Sequence, residues 1–452
     1  MTIDVLIADD SQYLRKSIAD ILKEHDSINI VDFAKDGKEA VELNKKHSPD
    51  VLVLDLVMPK MNGLDAFKLV MEEHPTPTII LSAISPKNLD SSIQALLMGA
   101  FDYIIKPGGI GAKDLPRFRE ELLAKVLLAS QSQIKRIFRK EESILKKSRS
   151  LRQEMVDRIF DFGQYLNRLT PIEEIEEKPE HDAFEVMKVK AILKDEKNIQ
   201  MVEEVSEEEI TKPPIIKSET EEKKAKKKIA KSTLQKKSIS TPIKKRKIGR
   251  TLDLAPIKGS TISSNIIVIG ASVGGPRTIT TILKEIPRSI NAPILIVQHL
   301  SSHFTDAFAD NLDMECVLKI KVAKNGEFLQ PGHVYLAPGD MHMEISVKNK
   351  TPSIKIYKGT PVNFCMPSID VLFFSAAKIY RNRAMGVILT GMGSDGVEGL
   401  GAIKKVGGKT IAEAEETCIL YAMPKFAAEK GYADYILPNY EIKDKIIKFI
   451  GT

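Results

Sequence analysis

Cysteine is scarce in this sequence, and long apolar runs are missing from it. Only three cysteines occur among 452 residues, and they are too far apart for a Cys-x-x-Cys pair, so neither a disulfide framework nor a zinc site is predicted. No apolar stretch approaches the roughly 18 residues of a membrane-spanning helix. The first residues enter a strand pattern at once, without the basic and apolar regions of an export signal. We therefore expect a soluble, cytoplasmic protein.

Length and charge pattern together predict three units. At roughly 150 residues per domain, 452 residues correspond to about three domains. The apolar fraction of 43% is that of a globular protein, but about a hundred residues in the middle are highly charged. We predict an N-terminal domain at residues 1–125, a linker at 126–260 and a C-terminal domain at 261–452.

The first domain shows the alternation of a doubly wound fold. Five short, strand-like apolar runs alternate with amphipathic helical patterns, which predicts five parallel strands covered by helices. Asp9 and Asp10 follow the first run and Asp55 ends the third. Because clustered carboxylates repel each other, we expect these three to hold Mg²⁺ at the carboxyl edge of the sheet. Lys106 and Ser82, near the ends of the fifth and fourth runs, are placed to contact a phosphoryl group on Asp55.

The middle of the chain is amphipathic at first and then strongly charged. Apolar residues recur at helical spacing from about 117 to 169, which predicts one long helix that extends the first domain, with a partner-binding helix as the alternative. Residues 172–210 contain 14 acidic against 5 basic side chains, and residues 211–250 contain 15 basic against 3 acidic. Such runs cannot bury enough surface to order themselves, so we predict disorder after the helix.

The basic half of this linker offers an alternative output. Clustered lysines such as those at 223–228 bind the phosphates of nucleic acid or of anionic lipid. No aromatic side chain for base stacking occurs between residues 211 and 250, and the acidic half is available to neutralise the basic one. We therefore interpret the segment as a tether and expect no nucleic-acid partner.

The last domain contains three residues that together suit nucleophilic catalysis. Ser272 lies in the pentapeptide Gly-Ala-Ser-Val-Gly after an apolar run, as in turns that expose a nucleophilic hydroxyl. His299 and Asp395 also follow apolar runs, so we expect the three to meet at the carboxyl edge of a parallel sheet. His299 is the expected base, and Asp395 is expected to orient its imidazole. Backbone N–H groups of Val273 and Met392 are expected to stabilise the oxyanion.

Each part of this pattern also has a simpler interpretation. A glycine-flanked serine before a helix is often a tight turn or a phosphate-binding site, but the P-loop continuation Lys-Ser/Thr is missing here. An aspartate in a glycine-rich loop is often a turn residue or a helix cap. The chain order Ser, His, Asp differs from that of α/β-hydrolases. We therefore predict an α/β parallel-sheet serine hydrolase of a different fold, which needs no cofactor for ester hydrolysis.

The N-terminal residues resemble the receiver domain of two-component response regulators. The strand-end carboxylates and the lysine before Pro107 carry this resemblance, over residues 1 to about 125. It implies a flavodoxin-like fold in which Asp55 accepts a phosphoryl group and Asp9 and Asp10 help to bind Mg²⁺. The switch residues that it implies are Ser82, Tyr103 and Lys106. Phosphorylation is then expected to re-order nearby loops.

Residues 263 to about 450 resemble the catalytic domain of chemotaxis protein-glutamate methylesterases. The motifs are GASVGG around Ser272, VQHL around His299, LAPGDMHME, PSIDVLF, and LTGMGSDG around Asp395. The resemblance implies a chemotaxis response regulator that, when phosphorylated by a chemotaxis histidine kinase, demethylates glutamates and deamidates glutamines on methyl-accepting chemoreceptors, in support of sensory adaptation. The alternative is a response regulator whose basic linker binds nucleic acid or membrane.

Some positions depart from the family pattern. Val273 stands where threonine is usual, Cys365–Met366 replaces a polar or basic pair, and Ala422 replaces a glycine. These departures bear on substrate positioning, since the triad is intact. In the family the unphosphorylated receiver packs over the active-site entrance. We expect this restraint in this chain too, in a form weakened by the long linker unless the helix predicted from 117 to 169 shortens the reach.

Overall fold

A computed structural model describes residues 2–83, 85–107, 115–140 and 264–451. Among these residues, no helix has the length and apolar character needed to cross a membrane. The elements of the N-terminal domain are β1 (Ile3–Ala8), α1 (Gln12–Leu22), β2 (Ile28–Ala34), α2 (Gly37–His47), β3 (Val51–Asp55), α3 (Gly63–Glu73), β4 (Thr78–Ser82), α4 (Pro86–Met98), β5 (Asp102–Ile105) and α5 (Leu115–Ala129).

The N-terminal sheet has the strand order β2-β1-β3-β4-β5, and all of its pairings are parallel. This is the flavodoxin-like order, in which ligand sites lie at the carboxyl ends of the strands. The central strands β3 and β4 are buried along their whole lengths, which is why their sequences are continuous apolar runs rather than alternating ones. The predicted five-stranded parallel fold is confirmed.

The long helix predicted from 117 to 169 is interrupted within the described residues. Helix α5 ends at Ala129, and residues 134–140 form a separate helical segment. At the break, the backbone N–H of Gln133 donates to the carbonyl of Ile419 in the C-terminal domain at 3.1 Å. A long-range hydrogen bond thus replaces the local helical one, and apolar periodicity cannot reveal it. The remaining linker predictions fall on residues 141–263, outside the described part of the chain.

The C-terminal domain is a second, larger α/β sheet. Its elements are β6 (Ile266–Ala271), α6 (Gly275–Lys284), β7 (Ile294–Gln298), α7 (Ser302–Glu315), β8 (Lys319–Val322), β9 (His333–Leu336), β10 (His342–Lys348), β11 (Thr351–Tyr357), α8 (Ile369–Tyr380), β12 (Ala384–Ile388), α9 (Val397–Lys405), β13 (Lys409–Glu413), α10 (Met423–Glu429), β14 (Tyr435–Leu437) and α11 (Asn439–Ile450).

Seven of these strands form one parallel sheet in the order β14-β13-β12-β6-β7-β9-β8. Strands β10 and β11 form a separate antiparallel hairpin, which packs against α8. The strands that precede the predicted triad residues, β12, β6 and β7, are adjacent at the centre of the sheet. The predicted α/β parallel-sheet domain is confirmed. In such sheets, functional sites lie at the carboxyl ends of the central strands.

The receiver-like domain packs directly on the C-terminal domain, and the two belong to one compact unit. Helix α4 lies against α6 and α7, and Asn311 on α7 donates to the Asp90 carboxylate on α4 at 3.1 Å. The helical segment 134–140 joins the same interface, because the Phe138 ring lies under the Arg277 guanidinium of α6 at 4.6 Å.

Candidate active site

A glycine-dependent turn presents Ser272 at the end of β6. Gly274 has a φ of +77°, and helix α6 begins one residue later. A Cβ on Gly275 would come within 1.9 Å of the Gln298 side-chain oxygen and 2.7 Å of the Ala271 Cβ, so a larger residue here would have to displace the turn or the Gln298 side chain. The Gln298 side-chain nitrogen donates to the Ser272 carbonyl at 2.8 Å. The strand, the tight turn and the helix therefore form the exposed-nucleophile geometry that the sequence predicts.

His299 is brought beside Ser272 by strand register. Ala271 of β6 pairs with Gln298 of β7, and the His299 backbone N–H donates to the Ala271 carbonyl at 3.1 Å. Each of the two predicted catalytic residues therefore follows its strand at the same level of the sheet.

Asp395 is buried and surrounded by hydrogen-bond donors. Only 2% of its surface is exposed. One carboxylate oxygen lies 2.9 Å from His299 Nε2 and also accepts from the Ile369 backbone N–H at 2.7 Å. The other oxygen accepts from the Ser368 hydroxyl at 2.7 Å and from the Asn363 amide at 3.1 Å. Part of this cradle is the N-terminus of α8, whose free N–H groups favour an anion.

These contacts set the charges of the pair. Burial disfavours the charged form of Asp395, but the hydrogen bond and the charge of His299, together with the Ile369 and Ser368 donors, outweigh it and lower the pKa of Asp395. Burial also disfavours charge on His299, yet its hydrogen bonds to Asp395 and Cys365 raise its pKa to about 9. A carboxylate with a lowered pKa therefore holds an imidazole whose pKa is raised.

The ring of His299 uses Nε2 for Asp395, which leaves Nδ1 as the nitrogen available for a proton from Ser272. Nδ1 lies 3.8 Å from the Cys365 sulfur. Within the residues that the structure describes, the Ser272 hydroxyl makes no hydrogen bond. Catalytic hydrogen bonds are often long without substrate and tighten when it binds. The arrangement is therefore compatible with a nucleophilic serine in the absence of substrate.

The predicted oxyanion donors lie on the two loops beside the nucleophile. Gly391 is packed so closely on Ser272 that a Cβ there would come within 2.6 Å of the serine Cβ. Met392 follows directly and is half exposed. Across the described chain, the backbone N–H groups of Val273 and Met392 donate to no other group, which leaves both amides available to a developing oxyanion.

A buried carboxylate that the sequence analysis did not single out supports these loops. Glu413 at the end of β13 is fully buried and accepts from the Thr390 backbone N–H at 2.8 Å and from the Thr417 hydroxyl at 2.9 Å. The Thr390 carbonyl in turn accepts from the Ser272 backbone N–H at 3.0 Å. Burial raises the pKa of Glu413 to about 7. The sequence pattern that could have identified Glu413 is its position at the end of an apolar strand run.

The sequence analysis also missed the side chains that surround Asp395. Asn363 bridges Asp395 and the buried Asp370, whose pKa is raised to about 7 by burial and, to a smaller extent, by the charge of Asp395. Cys365 appeared in the sequence only as a departure from a family pattern. The structure brings side-chain ligand atoms of Cys365, His299 and Asp395 within 4.8 Å of one another, although cysteine spacing predicts no metal cluster.

The receiver carboxylates also cluster at a strand edge as predicted. Ligand oxygens of Asp9, Asp10 and Asp55 lie within 4.8 Å of one another. The Lys106 ammonium lies 2.7 Å from a carboxylate oxygen of Asp9 and 2.7 Å from one of Asp55. Burial is the largest influence on Asp55 and raises its pKa, against the opposing charge of Lys106. A set of three carboxylates with one lysine suits a hard divalent cation with oxygen ligands.

The two remaining switch residues make hydrogen bonds to groups outside this cluster. Ser82 is buried, and its hydroxyl accepts from the Ser92 hydroxyl of α4 at 2.9 Å. Tyr103 reaches the C-terminal domain: its hydroxyl donates to the Ser301 hydroxyl at 3.3 Å and accepts from the Ser301 backbone N–H at 3.2 Å. Its ring packs on Phe304 with centroids 4.0 Å apart. The predicted switch aromatic therefore touches the loop that carries His299.

Comparisons with known proteins match both halves of the chain. The family model described as CheB methylesterase matches residues 267–446, and that of the response regulator receiver domain matches residues 5–113. A protein-glutamate methylesterase/protein-glutamine glutaminase of Thermotoga maritima is 32% identical over 450 residues, which cover 99% of this chain and 98% of that protein. The protein of the same name from Methanococcus maripaludis is 32% identical over 448 residues, with 99% and 98% covered.

Among solved structures, the Thermotoga maritima CheB methylesterase catalytic domain is 42% identical, covers 42% of this chain and 100% of its own, and has a TM-score of 0.41. The fold and these matches define an α/β catalytic domain of the methylesterase type joined to a response-regulator receiver domain. The chain belongs to the protein-glutamate methylesterase/protein-glutamine glutaminase family. The predicted enzyme class and the predicted role as a chemotaxis response regulator are thereby confirmed. The alternative output through the basic linker finds no support in these matches.

Proposed function

We propose that this chain hydrolyses glutamate methyl esters, and the side-chain amides of certain glutamines, on methyl-accepting chemoreceptors through an acyl-enzyme on Ser272. The observation that carries the proposal is the His299–Asp395 pair, held at the end of the strand adjacent to Ser272. The names of the relatives supply the substrate class.

The chemistry follows from the positions of these groups. Ser272 Oγ attacks the ester carbonyl as its proton passes to His299 Nδ1, while Asp395 stabilises the imidazolium. The amides of Val273 and Met392 donate to the oxyanion. The imidazolium then gives its proton to the leaving methoxide, and methanol departs. Water attacks the acyl-enzyme with the same proton transfers and restores Ser272 and a glutamate carboxylate. A glutamine amide takes the same route and releases ammonia.

Methanol release from methylated chemoreceptor cytoplasmic fragments tests the proposal. We expect the wild-type chain to release methanol and Ser272→Ala to release none above background. Ser289→Ala, which changes an exposed serine of the same domain, is the matched control and should behave as wild type. Equal release by Ser272→Ala and wild type would refute the serine mechanism.

The receiver half adds phosphorylation to this activity. Asp55 is the proposed phospho-acceptor, with the histidine kinase of a cytoplasmic chemotaxis system as the donor. Asp9, Asp10 and Asp55 would hold Mg²⁺, which when bound neutralises phosphoryl charge. Lys106 supplies a fixed positive charge at the same oxygens. The proposal rests on the clustering of these four side chains at one strand edge.

We further propose that the receiver restrains the esterase through Tyr103. Ser301, to which Tyr103 is hydrogen-bonded, lies two residues beyond His299 at the N-cap position of helix α7. A phosphoryl group on Asp55 competes for the Ser82 hydroxyl that now accepts from Ser92 of α4, and α4 packs on α6 and α7. Phosphorylation thereby loosens both receiver contacts with the catalytic domain.

Esterase rates of the full chain with and without a small phosphodonor test this restraint. We expect acetyl phosphate to raise the wild-type rate, and Tyr103→Phe to raise the basal rate without it. Tyr13→Phe, which changes a tyrosine that is 64% exposed, is the matched control. If neither the phosphodonor nor Tyr103→Phe raises the rate, restraint through this contact is wrong.

A further inference from the structure

A two-residue hairpin beside the triad has an unfavourable backbone conformation. Val362 and Cys365 exchange both of their backbone hydrogen bonds, at 3.0 and 2.9 Å. The central residues Asn363 and Phe364 have φ values of +52° and +65°. Tight hairpins with two positive φ angles favour Asn-Gly, because a Cβ at the second position is disfavoured. A phenylalanine there is unusual, and such outliers cluster at functional sites.

Both neighbours of Phe364 are tied to catalytic residues. The Asn363 amide donates to Asp395 at 3.1 Å and to Asp370 at 2.7 Å. The Cys365 sulfur lies 3.8 Å from His299 Nδ1. These contacts place the tip of the hairpin next to the reacting groups, so that a molecule bound at Ser272 has Phe364 as a neighbour.

The Phe364 side chain is fully open to solvent. At 103% of its reference surface, it is the most exposed large apolar side chain among the described residues, and Met392 on the oxyanion loop is 48% exposed. A methyl ester is small and neutral, so contacts remote from the reacting carbonyl have to select and hold a protein substrate. An exposed aromatic side chain at the rim of the site is suited to that task.

From these observations we propose that Phe364 is a substrate-docking residue: it packs against an apolar side chain of the receptor polypeptide beside the target glutamyl ester. This inference rests on the proposed function, because it assigns the polypeptide around the ester as the occupant of the hairpin tip. Phe364 takes no part in proton transfer, and its contribution lies in binding the protein substrate.

The test compares a protein substrate with a small one. For Phe364→Ala we expect kcat/KM on methylated receptor fragment to fall about tenfold, mainly through KM, as the loss of one buried aromatic contact would give. Hydrolysis of N-acetyl-glutamate γ-methyl ester should stay within twofold of wild type. Phe364→Leu should restore most of the loss, and Met314→Ala, which removes a side chain that is 76% exposed on α7, should change neither rate.

A binding measurement separates this inference from the proposed function. Binding of the receptor fragment is measured on the inactive Ser272→Ala background, where no substrate is turned over. Adding Phe364→Ala there should weaken binding about tenfold. Unchanged binding and unchanged KM would overturn the docking role, and so would an equal loss on both substrates, because the hairpin would then act through the triad geometry. If the wild type hydrolyses neither ester, the proposed function fails, whatever the binding result for Phe364.

Discussion

Asp55 and Asp395 both lie at the carboxyl edge of a parallel sheet, and each is almost completely buried. Their environments are opposite. Asp55 shares its edge with two other carboxylates and one lysine, and its pKa is raised. Asp395 lies among donors at a helix N-terminus, and its pKa is lowered. Burial alone therefore does not decide a carboxylate's role. Like-charged neighbours suit Asp55 to accept a cation and a phosphoryl group, and hydrogen-bond donors suit Asp395 to remain a fixed anion.

The largest expected effect comes from removing the anion of Asp395. We expect Asp395→Asn to lower kcat for methanol release by about 10⁴-fold, because an asparagine neither stabilises the imidazolium nor selects the useful tautomer of His299. Phosphorylation of Asp55 should be unaffected, and a phosphodonor labelling assay on the same preparation is the control. A loss of less than tenfold would show that Asp395 is not the partner that His299 needs.

Removing the carboxylate of Asp55 should leave the esterase activity largely intact. We expect Asp55→Asn to abolish incorporation of phosphate from a small phosphodonor and to leave the basal esterase rate within a few-fold of wild type. Labelling and methanol release, measured side by side, check both halves. Asp65→Asn, which changes an exposed aspartate of the receiver, is the matched control. Persistent labelling of Asp55→Asn would place the phospho-acceptor elsewhere.

The pH profile should report the basic imidazole. The pKa of His299 is raised to about 9, and only the neutral ring accepts the serine proton. The basal kcat/KM should therefore rise about tenfold per pH unit on the acid side and level off near pH 9, while Asp395 stays ionised throughout. Since Cys365 helps to raise the pKa of His299 through a hydrogen bond, Cys365→Ala, which removes that bond, should move the plateau to lower pH. A plateau already reached at pH 6 would contradict this assignment.

The smallest effect concerns a third buried carboxylate, Glu413. Its pKa of about 7 lies above the ordinary value of 4.5, so its ionisation opposes folding, and wild-type stability should fall as the pH rises from about 4.5 to about 7. Glutamine stays neutral. We therefore compare the Tm of Glu413→Gln minus the Tm of wild type at two pH values. We expect this difference to be roughly 3–6 °C larger at pH 8 than at pH 5. Parallel thermal denaturation curves at both pH values measure this difference, and no pH dependence would contradict the raised pKa.

Sequence reasoning located the residues that follow strands. Ser272, His299 and Asp55 stand directly after or at the end of apolar runs, and strand order brings them to the expected edges. That inference needs only the periodicity of the chain and the geometry of parallel sheets. The roles of these residues and the boundaries of the linker stay predictions, because the comparisons establish the family and the enzyme class without testing individual side chains.

Contacts between distant segments were beyond the reach of the sequence. Tyr103 and Ser301 are 198 positions apart, and nothing in either local pattern pairs them. Asn363 and Cys365 reach the triad only because a hairpin turns back toward it. The break after Ala129 has the same origin, since a carbonyl from the catalytic domain replaces a helical acceptor. Local patterns specify elements, whereas packing decides which of them meet.

The hydrogen bond between Tyr103 and Ser301 implies that the receiver and the active site influence each other reciprocally. If phosphorylation and opening of the His299 loop are linked, thermodynamic reciprocity requires that occupancy of the loop act back on the receiver by the same factor. An ester analogue bound at Ser272 in the open form would then raise the fraction of Asp55 that is phosphorylated at a fixed donor concentration. The phosphorylated fraction of Asp55 would then depend on how much ester substrate occupies the active site.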